Sequence, residues 1–194
     1  MIQKLNIKLD INELREYYHT VVRDFQHLKW TKELEFTNDK WSGDNMVDRL
    51  IGWGIDSNLL DINSPSPPYN ISVKDKVNYR NTSLAFGIIN KLQSIFPYAY
   101  RWAISVQEPG GYVNKHNDNS KNLTVWIPIY NPEEAKLVMY YDEETNIHLP
   151  SDGSLYLVDT RIDHRTYNHS TEDRVLLSFR FDIEYLNQVL STPT

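Results

Sequence analysis

Four residues in the second half of the chain have the types and spacing that metal chemistry needs: His116, Asp118, His164 and Arg174. In extended backbone, side chains two residues apart point to the same face, so the imidazole of His116 and the carboxylate of Asp118 can converge on one ion. One neutral nitrogen and one anionic oxygen suit a borderline metal such as Fe(II). The pair alone says little, because the 6 histidines and many aspartates of this chain would give about 0.5 His-x-Asp matches by chance. Its surroundings say more. Pro109-Gly110-Gly111 makes a tight turn just upstream, and the apolar run LTVWIPI (residues 123–129) follows closely. The pair therefore sits in a short connection at a strand end, where a rigid scaffold can aim it.

A third ligand must come from His19, His27, His148, His164 or His169. His19 and His27 fall in or just after a first helix and read as surface or packing residues, and His148 precedes Pro150 in a turn. His164 directly follows the turn Asp159-Thr160-Arg161-Ile162-Asp163 and opens another extended stretch. Two histidines and one carboxylate on a β frame form a facial triad, which leaves three positions on the ion open. Arg174, ten residues later, opens the last strand, where a guanidinium can clamp a carboxylate with two parallel hydrogen bonds. Read singly, Arg174 is a surface charge and His164 a satisfied loop histidine. Their order and strand context together favour a site.

The elements that must hold these residues divide the chain in two. Over residues 11–25 apolar side chains recur with a helical period, and a second helix is expected over 83–96, with Leu84, Phe86, Ile88, Ile89, Leu92 and Ile95 as its buried stripe. Asn81 or Thr82 would cap it and Pro97 would end it. Between the helices, SPSPP (residues 64–68) must be loop, and Trp41 and Trp53 read as packing residues. From residue 100 onward the signals are strands: 100–107, 123–129, 135–141, 154–158, 165–168 and 174–182, separated by Pro-Gly-Gly, Asn-Pro and Ser-Asp-Gly turns. Short strands so spaced suggest an antiparallel sandwich or barrel, with the helices covering one face.

Composition bounds the chemistry. The 194 residues suffice for one domain, and 40% hydrophobic with 12% aromatic residues suffice for a core. There is no cysteine, which excludes disulfides, thiolate metal sites and a cysteine nucleophile. A net charge of −6 without a Lys/Arg run argues against nucleic acid as a partner. No apolar stretch reaches the roughly 18 residues of a membrane span, and a cytoplasmic location is the expectation. Oligomeric state cannot be read from the sequence.

At these residues the sequence resembles the 2-oxoglutarate- and Fe(II)-dependent oxygenases, within them the aspartyl/asparaginyl β-hydroxylase-like group, which also contains bacterial hydroxylases of free proline. Residues 105–116 (SVQEPGGYVNKH) match that group's strand, turn and first metal segment without a gap, and residues 159–168 (DTRIDHRTYN) followed by Arg174 match its second. The likeness spans residues 100–182. It implies a jelly roll, the cupin-like double-stranded β-helix, with N-terminal helices packed on one sheet. One oxygenase domain would then run over 1–194, with 1–100 a helical or irregular support, 101–182 the jelly-roll core and 183–194 a tail.

By that correspondence His116 and His164 would hold iron, Arg174 the distal carboxylate of 2-oxoglutarate, and Ser105 a further contact to the co-substrate. Asp118 would complete a three-ligand triad that peptide-hydroxylating members of the group can lack. The activity implied is oxidative decarboxylation of 2-oxoglutarate by O₂, giving succinate and CO₂, with hydroxylation of a C–H bond in an amino acid or an amino-acid residue of a peptide. Strand 123–127 departs from the pattern in carrying no cation. Lys121 is the nearest, and Arg101 on the preceding strand is another candidate. Arg161 and Arg165 could meet an anionic substrate or be exposed loop charges, and Trp102 and Tyr112 could line a pocket or pack in the core. Two rivals stand beside this reading: a zinc hydrolase on the same ligands, and a jelly-roll binding module without catalysis.

Overall fold

The computed structural model describes residues 1–24, 29–34, 48–54, 87–118 and 121–191, with 29–34 and 48–54 described by backbone alone. The strands are β1 (Ile2–Lys8), β2 (Lys29–Leu34), β3 (Asp48–Gly54), β4 (Tyr100–Gln107), β5 (Tyr112–His116), β6 (Asn122–Tyr130), β7 (Ala135–Tyr140), β8 (Glu144–Ile147), β9 (Ser154–Val158), β10 (His164–Asn168) and β11 (Arg174–Asp182). The helices are α1 (Ile11–Asp24), α2 (Gly87–Ile95) and, after a 3₁₀ turn, α3 (Leu186–Ser191).

Strand pairing makes two antiparallel layers. One runs β1-β9-β6-β11-β4-β3 with β2 on β3, the other β5-β10-β7-β8. A single parallel pairing of Asp48 with Tyr112 joins them. Alternation along the first layer separates two faces. Val125, Ile127 and Ile129 of β6, Leu177, Phe179 and Phe181 of β11, and Trp102, Ile104 and Val106 of β4 belong to one core. Leu14, Tyr17 and Val21 of α1 and Ile88, Ile89 and Leu92 of α2 join that core, so the helices cover this face. Burying each such side chain is worth about 1.5–3 kcal/mol.

The opposite face meets the second layer. A smaller apolar cluster of Leu137, Met139, Leu149, Tyr156 and Val158, with Trp126 packed on it, fills part of the space between the layers. The rest is lined by polar side chains: Gln107 on β4, Thr124 on β6, Arg174 on β11, and His164, Thr166 and Asn168 on β10 are all buried. A sheet with one greasy face and one mixed face is what positions a buried polar site.

The expected strands 100–107, 154–158 and 174–182 match β4, β9 and β11, and the other three differ by a residue at their ends. Helix 11–25 is found as Ile11–Asp24 and helix 83–96 as Gly87–Ile95, residues 25 and 83–86 lying outside the described part. The division at residue 100 needs correction. β1, β2 and β3 lie in the first hundred residues, and β1 and β3 pair with β9 and β4 of the jelly roll. In β1 the period is visible, with Leu5 and Ile7 buried between exposed neighbours, yet a short strand needs its partner β9 to be recognised. The expected tail over 183–194 includes α3, which buries Val189. Strands β5 and β8 went unanticipated because their side chains are polar and largely exposed or half-buried. The stretch 64–68, Trp41, His27 and the caps Asn81 and Thr82 lie outside the described residues, as does the side chain of Trp53.

Candidate metal centre

Two turns deliver the candidate ligands. In Glu108-Pro109-Gly110-Gly111 the Gly111 amide donates to the Glu108 carbonyl (2.9 Å), and Gly110 has φ +74°, the left-handed conformation that glycine adopts without strain. The Gly110 amide donates to the Asn168 carbonyl (2.8 Å) and the Asn168 amide to that of Gly111 (2.9 Å), so the turn is stitched to the end of β10. From there β5 runs antiparallel to β10 and places His116 opposite His164. A register shift between His164 and Thr166 adjusts the two strands at that point. Asp118 follows two residues later, its amide donating to the carbonyl of Thr160 (2.9 Å) in the turn before His164.

The outcome is a compact cluster. One ligand atom from each of His116, Asp118 and His164 lies within 4.8 Å of the others, the one such group of three among the described residues. The imidazole rings are 4.4 Å apart between centroids, and Nε2 of His116 is 3.8 Å from Oδ1 of Asp118. Nδ1 of His116 is 2.6 Å from the Asn114 carbonyl and Nδ1 of His164 is 2.9 Å from that of Ile162. A carbonyl only accepts, so each Nδ1 carries the proton and each Nε2 presents a lone pair. This is how histidine ligands are oriented and tuned by their surroundings. Backbone carbonyls take that role, and Asp163 does not. Asp163 instead accepts from Asn117 Nδ2 (2.8 Å) and pairs with Lys115 (3.5 Å), bracing the residues on either side of His116 to the residue before His164. Burial, and next the neighbouring His116, push the pKa of His164 below its ordinary value. That favours the neutral imidazole a metal needs.

Arg174 lies deep in the same interior. It is 3% exposed, donates from Nε to Asn131 Oδ1 (2.9 Å) and from Nη1 to Gln107 Oε1 (3.1 Å), and stacks its guanidinium 5.6 Å from the centroid of Trp126. The Trp126 ring is in turn 6.4 Å from His164, so one aromatic floor links the cation to the cluster. Nη2 is buried without a partner, and no acidic side chain among the described residues pairs with Arg174. Burial lowers its pKa to about 10, which leaves it charged at neutral pH. A buried cation held only by neutral amides is a costly arrangement unless an anion joins it. Ser105 shares the inward face of β4 with Gln107, and its backbone pairs with Leu176 on β11.

Other candidates resolve plainly. Arg161 forms a bidentate pair with Asp159 (both 2.7 Å) and Arg165 pairs with Glu144 (3.1 Å), so both are committed. Trp102 is wholly buried against Phe179 in the helix-side core, whereas Tyr112 is half-buried on β5. His19 meets the Tyr130 hydroxyl, His148 the Asn131 carbonyl, and His169 stacks on Tyr167. Lys121 is exposed, and the Arg101 side chain lies outside the described part. Four residues of the site were not anticipated: Gln107, Asn131, Trp126 and Arg180. Arg180 donates to Oδ2 of Asp118 (3.0 Å). The available signal was parity, since Arg180 is six residues after Arg174 on one strand and so faces the same way.

The aspartyl/asparaginyl β-hydroxylase family model matches residues 6–183. The chain belongs to that family. The match extends the likeness into the first hundred residues, consistent with β1 and β3 being built into the jelly roll. No curated protein matches the chain. Among solved structures, it resembles a 2OG-Fe(II) oxygenase family oxidoreductase from Burkholderia pseudomallei (12% identity, TM-score 0.60, covering 93% of this chain and 84% of that one). It also resembles the α-ketoglutarate-dependent epimerase SnoN of nogalamycin biosynthesis (14%, 0.54, 93% and 78%) and a Pseudomonas putida prolyl-4-hydroxylase (12%, 0.52, 93% and 92%). At these identities the likeness is one of fold, and it agrees with the expected double-stranded β-helix.

Proposed function

We propose that this member of the aspartyl/asparaginyl β-hydroxylase family is an Fe(II)- and 2-oxoglutarate-dependent dioxygenase that hydroxylates a C–H bond of an amino acid or of an amino-acid residue in a peptide. His116, Asp118 and His164 would hold the iron, a donor set of two imidazole nitrogens and one carboxylate oxygen that suits Fe(II) and leaves positions open for co-substrate and O₂. When bound, iron supplies activation of O₂ coupled to decarboxylation of 2-oxoglutarate.

The observation that carries the reading is the orphaned Nη2 of Arg174. Asn131 and Gln107 hold the guanidinium by Nε and Nη1, and the remaining nitrogen is ready for a carboxylate delivered into the interior. A zinc hydrolase on the same ligands has no use for that cation. Ser105, on the same inward face, would add a hydroxyl to the co-substrate's hydrogen bonds. The protein's own contribution is to orient both partners of the reaction and exclude water from a site walled by Trp126, Thr166 and Met139.

The deciding experiment measures succinate released from 2-oxoglutarate with Fe(II) and O₂, across a panel of free amino acids and short peptides, with His116→Ala as control. Substrate-stimulated succinate that disappears in H116A is expected. Absence of 2-oxoglutarate turnover with every substrate, and of any uncoupled turnover without one, would overturn the assignment.

A further inference from the structure

Two buried hydroxyls meet at the turn that precedes His164. Thr124 of β6 and Thr160, two residues after β9, are both buried, and their Oγ1 atoms lie 3.2 Å apart. Each is the other's side-chain hydrogen-bond partner among the described residues. The carbonyl of Thr160 in turn accepts from the amide of Asp118 (2.9 Å). Two hydrogen bonds in series therefore run from β6 to the backbone of a candidate ligand. The β6 end of this path is firm, because Thr124 sits between two ladders, opposite Val158 of β9 and Arg180 of β11. The turn end is less so. Its internal backbone bonds, from the Thr160 amide to the Val158 carbonyl (3.1 Å) and from the Ile162 amide to the Asp159 carbonyl (3.2 Å), are long for N–H···O contacts.

We propose that Thr124 and Thr160 are positioning residues that set Asp118 in place before a metal ion arrives. This rests on the metal-centre reading above. Neither threonine belongs to the His116, Asp118 and His164 cluster, so the pair acts through the chain. A hydroxyl in a buried interior is costly without a partner, and the bond to Thr124 therefore holds Thr160 against the sheet. The carbonyl that receives the Asp118 amide is held with it. A carboxylate ordered in advance spares the ion the cost of ordering it on binding.

The test reads hydrogen exchange at the Asp118 amide by NMR in the metal-free full-length protein, and then Mn(II) affinity by calorimetry. The proteins compared are wild type, Thr124→Val, Thr160→Val, Thr160→Ser and the double variant T124V/T160V. In T124V and T160V the Asp118 amide should exchange roughly 5-fold faster, while amides of the β6–β11 ladder change by less than about 2-fold. Mn(II) should bind roughly 5-fold more weakly in both. The double variant leaves no orphaned hydroxyl, so it tests the same bond without that cost to folding, and its effects should match those of a single variant instead of multiplying. T160S keeps the hydroxyl and should stay within about 2-fold of wild type in both measurements. An unchanged Asp118 amide, or one that accelerates only in step with the β6–β11 ladder, would overturn the proposal. So would an unchanged Mn(II) affinity in T124V, or T160S behaving as T160V does. Wild type that takes up no Mn(II) would instead sink the metal-centre assignment. That failure is read on wild type alone, and the exchange measurement, which needs no metal, still reports on the hydroxyl pair.

Discussion

Single side chains mark the candidate site through what they leave unsatisfied. Arg174 is the clearest case, since its charge is buried, two of its nitrogens are occupied by neutral amides, and the third has nothing. Arg174→Ala is expected to weaken 2-oxoglutarate binding roughly 100-fold while Mn(II) binding stays near wild type, because charge-assisted hydrogen bonds contribute about 1.5–3 kcal/mol. Calorimetry on the Mn(II)-loaded protein checks this, and unchanged 2-oxoglutarate affinity would remove Arg174 from the site. His164 supplies a second prediction. Its pKa is depressed in the folded protein by burial and by His116, so below the ordinary histidine value of about 6.5 the unfolded chain binds more protons than the folded one. The stability that comes from keeping His164 neutral is present above that value and is lost as pH falls through it toward the folded pKa. Thermal midpoints of the metal-free protein should fall over that window, and H164Q should flatten the fall. A slope identical in H164Q and wild type would count against it.

At the scale of elements, short connections do most of the positioning. The two ligand segments are separated by some 48 positions in sequence and are joined by the β5–β10 ladder, the Asp118 to Thr160 backbone bond and the Asp163 brace. The Ser151-Asp152-Gly153 turn has a comparable role for β1. Gly153 has φ +84° and its carbonyl accepts from the Leu9 amide (2.9 Å), and a Cβ at this glycine would collide with the Leu9 carbonyl oxygen. Gly153→Ala combines left-handed strain of about 1 kcal/mol with displacement of the β1–α1 connection, so a loss of about 3 kcal/mol is expected in denaturant unfolding. A loss below about 1 kcal/mol would mean that the connection yields easily. The Gly110 site differs, because nothing lies within 4 Å of a Cβ placed there, so only the backbone strain applies.

The whole molecule keeps its stabilising core and its reactive interior on opposite faces of one sheet. Leu92 of α2 is fully buried in the helix-side core, whereas His116, Asp118 and His164 lie on the other side of β6 and β11. Leu92→Ala should therefore cost about 2–5 kcal/mol of stability and leave Mn(II) affinity within about 2-fold of wild type, since sites this far apart with no shared partner behave additively. Unfolding curves and calorimetry on the same samples separate the two effects. A parallel loss of metal affinity would show that the layers are coupled. Among the described residues no helix is long and apolar enough to cross a membrane.

Much of this was legible in the sequence. His116, Asp118 and His164 are a short local pattern plus one histidine in strand context. Of the strands from residue 100 onward, β4, β6, β7, β9, β10 and β11 showed as short runs set off by turn residues. The strands β1, β5 and β8 did not show, since a short or polar strand is defined by what it pairs with. Arg180 illustrates the rest. As residue six after Arg174 it is an ordinary strand charge, and only the pairing of β11 with β6, together with the turn that brings Asp118 to Thr160, sets its guanidinium on Asp118. The sequence by itself determined which nitrogen and carboxylate donors were available, the absence of thiolate chemistry and the positions of the long strands, all of which follow from residue type and order. Only tertiary structure decided which nitrogen of each histidine is free, which cations stay unpaired and which are neutralised, because those depend on carbonyls and carboxylates contributed from distant parts of the chain.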